Sequence, residues 1–163
     1  MVGKVLFKNR AGVEDVRITA KGRYALAALV EIASQTRAGD TVSVVGVADK
    51  LDISKIFLEQ AISQLKKSDI LHSTKGPKGG YQLTREPWSI TVWDTLVAVE
   101  NVLLEKADAT VASAAPELEA ALREQVWDRL DTVIHDCLAS VSIQDLLDAT
   151  EQQRGDQSFM LGL

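Results

Sequence analysis

The sequence is poor in the residues that build cross-linked or metal-bound proteins. Its 163 residues include a single cysteine, Cys137, and two histidines, His72 and His135. One thiol cannot form a disulfide within a chain. The two histidines are too far apart in sequence to predict a transition-metal site. The sequence therefore predicts no metal site, and a reducing cytoplasm fits its cysteine content.

Long apolar runs are also missing. None approaches the roughly 20 residues that a membrane-spanning helix needs, and the first 16 residues lack the apolar stretch of an export signal. The composition, 46% hydrophobic and 25% charged, is typical of a folded soluble protein. The length fits one domain, or one small domain with an appendage.

The net charge of −5 hides two unlike halves. Residues 1–90 contain 14 Lys and Arg against 9 Asp and Glu, a balance of +5. Residues 91–163 contain 4 against 14, a balance of −10. Because a basic surface attracts a polyanion and an acidic surface repels one, the two halves are expected to have separate roles.

Caps and apolar spacing predict a mainly α-helical fold with a small β-hairpin. Thr19 is placed to cap a first helix, whose recurring apolar residues are Tyr24, Leu26, Ala27, Val30 and Ala33. Ser43 and Ser54 are placed to cap two short helices joined by a tight turn, which is a helix-turn-helix arrangement. The residues of its second helix that are predicted to face inward are Phe57, Leu58, Ala61, Ile62 and Leu65.

A glycine-rich loop, GPKGG, then joins two short strands, ILHSTK and GYQLT, in a hairpin. A helix-turn-helix followed by a hairpin is a winged helix. The loop lacks the spacing of a nucleotide-binding loop. Lys75 and Lys78 suit contact with DNA phosphates or a narrow minor groove, although a plain surface turn would carry similar residues. Tyr81 is predicted to pack against the helices.

The C-terminal half is predicted to dimerise. Ser89 or Thr91 is placed to cap one helix, and Pro116 begins a long one. Its apolar stripe consists of Leu118, Leu122, Val126, Leu130, Val133, Ile134, Cys137 and Val141. Since a domain of this size cannot cover so long a stripe, pairing with a second copy is expected. Ser142 and Asp145 are placed as a capping box for a last short helix.

Four regions are therefore predicted. They are an N-terminal extension at 1–16, a winged helix-turn-helix DNA-binding domain at 17–88, a helical dimerisation and regulatory region at 89–152, and a C-terminal tail at 153–163.

Polar residues on the second helix of the helix-turn-helix are the main candidates for DNA contact. Ser, Gln and Glu side chains can reach base edges there, and lysines hold phosphates. An ordinary solvated face is the alternative, but the order of the surrounding elements favours DNA binding. The predicted DNA-binding residues are Arg17, Lys21, Arg23, Tyr24, Ser54, Lys55, Glu59, Gln60, Lys75 and Lys78.

No enzyme is predicted. His135 and Cys137 could form a nucleophilic pair, but residues two apart on a helix do not face each other. Cys137 also falls on the apolar stripe, so it is interpreted as a buried small hydrophobic residue. No catalytic, cofactor-binding or metal-binding residues are assigned.

The motifs KGRYA, LEQ and GPKGGY resemble those of the bacterial Rrf-type winged-helix regulators, which include IscR and CymR. The similarity runs from Val16 to about residue 150. It implies a homodimeric regulator, read here as a repressor, that binds pseudopalindromic operator DNA. By position, it implies Ser54, Glu59 and Gln60 in the reading helix and Lys75 in the wing. Arg17 and Tyr24 would flank the phosphates, whereas Ile56 stands where the family is often polar.

Iron–sulfur members of this family carry three cysteines in the linker after the first helix of the C-terminal half. Here that linker, EKADATVASAAP, has no Cys or His, so no iron–sulfur cluster is expected. The chain resembles the cluster-free, CymR-like branch, which represses sulfur and cysteine-metabolism genes and takes cysteine synthase as a partner. Residues 1–15 are interpreted as an upstream extension. The alternative function is a winged-helix adaptor that binds protein and no DNA.

Overall fold

The computed structural model describes residues 18–36, 40–76, 79–100 and 109–160. Its α-helices are α1 (Ala20–Gln35), α2 (Val44–Leu51), α3 (Lys55–Lys67), α4 (Val92–Val99), α5 (Pro116–Leu122), α6 (Asp128–Ala139) and α7 (Ile143–Met160). Strands β1 (Leu71–Thr74) and β2 (Gly80–Leu83) form an antiparallel hairpin. A 3-10 turn spans Pro87–Ser89, and a π-helical turn at Arg123–Trp127 joins α5 to α6. The fold is mainly helical with one hairpin, as predicted.

Helix α1 begins at the predicted cap. The Thr19 hydroxyl accepts a hydrogen bond from the Gly22 amide at 3.2 Å, which satisfies one of the open amides of the first turn. The side chains that α1 buries most deeply are Ala25, Ala28, Leu29 and Ile32. Of the predicted apolar residues only Ala33 is fully buried, and Tyr24, Leu26, Ala27 and Val30 are half-buried. The core face of α1 is therefore rotated from the predicted one.

The helix-turn-helix forms as predicted, except for Phe57 and for the side chain of Ser54, which makes no capping hydrogen bond to α3. Ser43 caps α2 by accepting a hydrogen bond from the Gly46 amide at 3.0 Å, and α2 ends at Asp52 in the left-handed region. Helix α3 buries Leu58, Ala61, Ile62 and Leu65. Phe57 was predicted to face inward, but it is 57% exposed. Its position, one residue before Leu58, turns it about 100° away from the core.

The hairpin is fixed to the helix-turn-helix by a short backbone pairing. Leu71 pairs with Leu83 and Thr74 with Gly80, so the strands have the predicted order. Val42, just before α2, exchanges two backbone hydrogen bonds with Tyr81, at 2.9 and 2.8 Å. A Cβ atom on Gly80 would lie 2.7 Å from the Val42 carbonyl oxygen, so this close approach requires glycine. Tyr81 packs against the core as predicted.

Helices α4 and α7 complete the core by packing against α1. Thr91, one of two predicted caps, forms a capping box with Asp94 at the start of α4. Backbone bonds from Val92 to the Val141 carbonyl and from Ile143 to the Ile90 carbonyl, both 2.8 Å, join the starts of α4 and α7. The Ser142 and Asp145 pair forms at the start of α7. The last helix is longer than predicted, since it continues to Met160.

The long helix from Pro116 to Ala139 exposes its apolar stripe. Leu118, Leu130 and Val133 are about half exposed or more, and no described part of the single chain covers them. Cys137 is exposed in the single chain, and its burial on this stripe by a second copy stays a prediction. The physical reason is that the stripe faces away from the core that α1, α3, α4 and α7 share.

Within the described residues, no helix is long and apolar enough to cross a membrane. No group of three or more His, Cys, Asp or Glu side chains in that part of the chain could hold a metal ion.

Candidate nucleic-acid interface

The outer face of α3 is polar and open. The predicted residues Ser54, Lys55, Glu59 and Gln60 are all exposed there. Ser54 lies at the N-cap position, but its side chain makes no capping hydrogen bond. Lys55 Nζ and Glu59 Oε1 are 3.7 Å apart, an exposed pair one helical turn apart that contributes little to stability. These groups are exposed to a ligand, and α3 packs into the core through its opposite face, which buries Leu58, Ile62 and Leu65.

A shallow depression extends this face toward the start of α1. It is lined by Lys21, Ile56, Glu59, Gln60, Ser63 and Gln64. The fold therefore brings Lys21 beside the reading helix, although the two are more than thirty positions apart in sequence. A cation beside hydrogen-bonding side chains on a projecting helix is the arrangement by which proteins hold a phosphate while side chains contact base edges.

The wing lies at the other end of α3. Lys66 Nζ donates to Ser73 Oγ at 2.8 Å and lies 5.8 Å from the centre of the Tyr81 ring. These contacts fix the hairpin relative to the end of the helix. Lys75 is exposed directly after β1. Gly76 has a φ of 117°, which L residues rarely adopt, so glycine permits the turn at the tip.

The other residues around α1 that were predicted to contact DNA do not all lie on the side of Lys21. Tyr24 is half-buried and three positions after Lys21, so it lies on the same side of the helix. Arg23 is exposed but two positions from Lys21, about 200° around the helix. Arg17 and Lys78 lie outside the described residues. The structure thus places Lys21 beside α3, with Tyr24 on the same side of α1, and separates Arg23 from them.

Sequence reasoning missed how the start of α1 is positioned. The Glu100 carboxylate accepts hydrogen bonds from the Thr19 amide at 3.2 Å and from its hydroxyl at 2.7 Å. A negative charge is favourable at this end of a helix. Gly22 gives α4 room, because a Cβ atom there would lie 3.0 Å from Leu96 Cδ2 and collide with Glu100. No local signal reveals a pair 81 positions apart.

The remaining candidate, the pair of His135 and Cys137, is not assembled as a reactive site. The His135 ring packs edge-on against Trp93 with centroids 4.8 Å apart. Its Nδ1 atom lies 3.0 Å from Asp136 Oδ1. This histidine joins α6 to α4 and does not activate the thiol.

Comparison with known proteins identifies the family. A sequence profile named Rrf2, described as an iron-dependent transcriptional regulator, matches residues 18–149. The chain belongs to the Rrf2 family. It is 31% identical over 151 residues to the HTH-type transcriptional regulator IscR of Xenorhabdus nematophila, covering 87% of this chain and 89% of that one. It is 32% identical to a putative HTH-type regulator of Azotobacter vinelandii over 139 residues, 85% and 83% of the two chains.

Solved structures agree on the fold. IscR of T. potens superposes with a TM-score of 0.65 at 29% identity, covering 85% of this chain and 91% of that one. CymR, the global cysteine regulator of B. subtilis, superposes with a TM-score of 0.64 at 27% identity, covering 82% and 98%. This Rrf2 protein is therefore a DNA-binding transcriptional regulator with a winged helix, and not an enzyme. These matches favour the regulator over the adaptor.

Proposed function

We propose that this Rrf2 protein acts in the cytoplasm as a homodimeric repressor of a pseudopalindromic operator. The exposed stripe on α5 and α6 is the observation that carries the proposal. Leu130 is 49% exposed and Val133 is 65% exposed. Two copies that pack these stripes together would remove apolar surface from water, which favours association. Two-fold symmetry would then present two copies of α3 to one duplex.

The charge distribution supports the orientation of the DNA. The half that contains α3 and the wing carries the positive balance of +5, and the half that contains the stripe carries −10. DNA would therefore bind on the side of α3, with Ser54, Glu59 and Gln60 toward the major groove. Lys75 would contact phosphates or the minor groove beside it. A dimer of this kind uses half-sites about 34 Å apart, one helical turn of DNA.

The donor set of this chain does not fit an iron–sulfur cluster, so the proposed repressor works without one. A cluster is held by several thiolates, whereas this chain has one cysteine. That cysteine lies exposed on α6, and the nearby His135 packs on Trp93. The regulatory signal would then come from a ligand, a partner or the thiol. Iron and sulfide can be measured in protein purified without oxygen. A stoichiometric amount of both would contradict the cluster-free proposal.

The proposed targets are genes of sulfur and cysteine metabolism. Support comes from the likeness to CymR, which is described as the global cysteine regulator of B. subtilis. Cysteine synthase is the proposed regulatory partner. Purified cysteine synthase that fails to change operator binding, together with bound genomic fragments unrelated to sulfur metabolism, would refute this assignment.

Selection of bound fragments from the organism's own genomic DNA tests the central proposal. We expect retained fragments to share a two-fold symmetric site, occupied by two chains in sedimentation and protected by footprinting. Affinity should fall steeply with salt, because each neutralised phosphate releases counterions. Binding as a single chain would overturn the dimer, and failure to retain any fragment would overturn operator binding. Transcription in vitro from a bound promoter distinguishes repression from activation.

A further inference from the structure

Ile56 is an apolar side chain that the fold leaves exposed. It is the second residue of α3 and is 68% exposed. The core of the domain is formed on the opposite side of this helix by Leu58, Ile62 and Leu65. Single exposed apolar residues are common on protein surfaces, so the groups around Ile56 decide its role.

Those groups are the hydrogen-bonding side chains of the depression on α3. Ile56, Glu59, Gln60 and Ser63 follow the spacing i, i+3, i+4 and i+7 and therefore share one face of the helix. Lys21 of α1 lines the same depression. One apolar group thus lies beside a carboxylate, an amide and a hydroxyl, with a cation at the edge.

This combination matches the major-groove edge of DNA that contains a thymine. A side-chain amide can bond adenine N6 and N7, and a carboxylate can accept a hydrogen bond from cytosine N4. The 5-methyl group of thymine is the apolar group on that edge. An exposed isoleucine gains by contact with this methyl group and has no hydrogen bond to offer any other base.

We propose that Ile56 packs against the 5-methyl group of one thymine in each operator half-site and sets a preference for thymine there. The inference rests on the proposed operator binding and specifies one of its contacts. Removing one buried methyl group costs about fourfold in affinity. Because both half-sites are contacted, the two changes together cost about sixteenfold.

Replacing thymine by uracil removes only this methyl group, so it tests the contact directly. Duplexes carrying the selected operator would contain uracil at one symmetric pair of thymine positions at a time. Each would be titrated at fixed salt with the wild-type dimer, with Ile56→Ala, and with Val45→Ala as the control. Val45 is an apolar residue of α2, 48% exposed and outside the lining of the depression.

One symmetric thymine pair should weaken wild-type binding about sixteenfold when it is replaced by uracil. Ile56→Ala should bind the thymine and uracil duplexes equally, and Val45→Ala should keep the wild-type difference. If no uracil duplex weakens wild-type binding, or if Ile56→Ala keeps the wild-type difference, the inference is overturned while dimer binding to the operator still stands. If no operator is bound at all, the proposed function fails with it.

Discussion

Helix α3 and the long helix formed by α5 and α6 both carry an apolar face, but within the described residues only the apolar face of α3 is buried by the rest of the chain. In α3 the apolar face, including Leu58 and Leu65, is fully buried, and the polar face is open. In the long helix the apolar face, including Leu130 and Val133, is open. The winged helix is thus closed by its own chain, whereas the C-terminal half keeps an uncovered surface that suits a second copy.

Leu130→Asp should have the largest effect, by breaking the proposed dimer. A charge in an apolar interface without a partner costs about 3–5 kcal/mol for each copy. We expect a folded monomer in sedimentation velocity, with loss of operator binding. Thr132→Asp adds the same charge on the other side of the helix, about 200° away, and should leave the dimer intact. A dimer that survived Leu130→Asp would show that the stripe is not the interface.

Leu58→Ala should destabilise the winged helix by about 2–5 kcal/mol, because it leaves a cavity in a closed core. Phe57→Ala removes a larger side chain next to it, but this one is 57% exposed. Its effect on the free energy of unfolding should stay within about 1 kcal/mol. Urea denaturation of both variants measures the difference. Equal losses would mean that the two faces of α3 are not distinguished as the structure describes.

Gly22→Ala tests the contact between the two halves of the chain. The added Cβ atom would lie 2.8 Å from Ile18 Cγ2 and collide with Glu100. Such overpacking typically costs about 1–3 kcal/mol. The control is Gly155→Ala on α7, where nothing lies within 4 Å of the added Cβ atom; helix propensity there favours alanine by about 0.5–1 kcal/mol. Thermal denaturation should therefore give opposite signs for the two changes, and matching signs would contradict the close approach of α1 and α4.

Lys75→Ala should weaken operator binding and reduce the dependence of affinity on salt concentration. Loss of one phosphate contact lowers the slope of log affinity against log salt concentration by about 1 for each copy. Arg129→Ala removes the same charge from α6, in the acidic half, and should leave the slope unchanged. Fluorescence titrations across a salt series provide the measurement. An unchanged slope for Lys75→Ala would indicate that Lys75 does not contact the backbone of DNA.

The smallest effect is expected at the start of α7. Hydrogen bonds from the Ser142 hydroxyl and backbone amide lower the pKa of Asp145 below 3.8. A carboxyl group whose pKa is lowered by folding contributes stability above its unfolded pKa, and that stability is lost as pH falls through the folded pKa. Ser142→Ala should therefore raise the pKa of Asp145 and reduce stability at neutral pH, with the difference shrinking below pH 3.8.

An NMR titration of the Asp145 carboxyl group would measure this shift. Ser140→Ala is the matched control, because Ser140 Oγ donates to the Cys137 carbonyl oxygen instead. It should leave the Asp145 titration unchanged. A normal pKa for Asp145 in the wild-type protein would refute the capping contact.

Local signals predicted the helix starts well. Thr19, Ser43, Thr91 and Ser142 all cap helices as expected, because a cap and its amide partner are three positions apart in sequence. The hairpin was equally predictable from its glycine-rich loop. The predicted contacts to DNA remain predictions, since their chemistry depends on a ligand.

Faces of apolar helices were harder to predict. Helix α1 carries apolar residues on most of its circumference, so periodicity does not choose between the side of Val30 and the side of Ile32. Phe57 was wrongly predicted to be buried because the sequence shows only that the side chain is hydrophobic. It does not show which hydrophobic side chains another element covers. Which side is buried depends on where α3, α4 and α7 pack, and that is decided by contacts between residues far apart in the chain.

By itself, the sequence determined the order of elements, most of the caps, the charge difference between the halves and the presence of a single cysteine, since these depend on residues a few positions apart or on composition. Only the tertiary structure decided that Lys21 lies beside α3, that Glu100 holds the Thr19 cap of α1, and that the stripe on the long helix is left open. These features depend on contacts between segments that are far apart in the chain. The spacing of residues within one segment does not reveal such contacts.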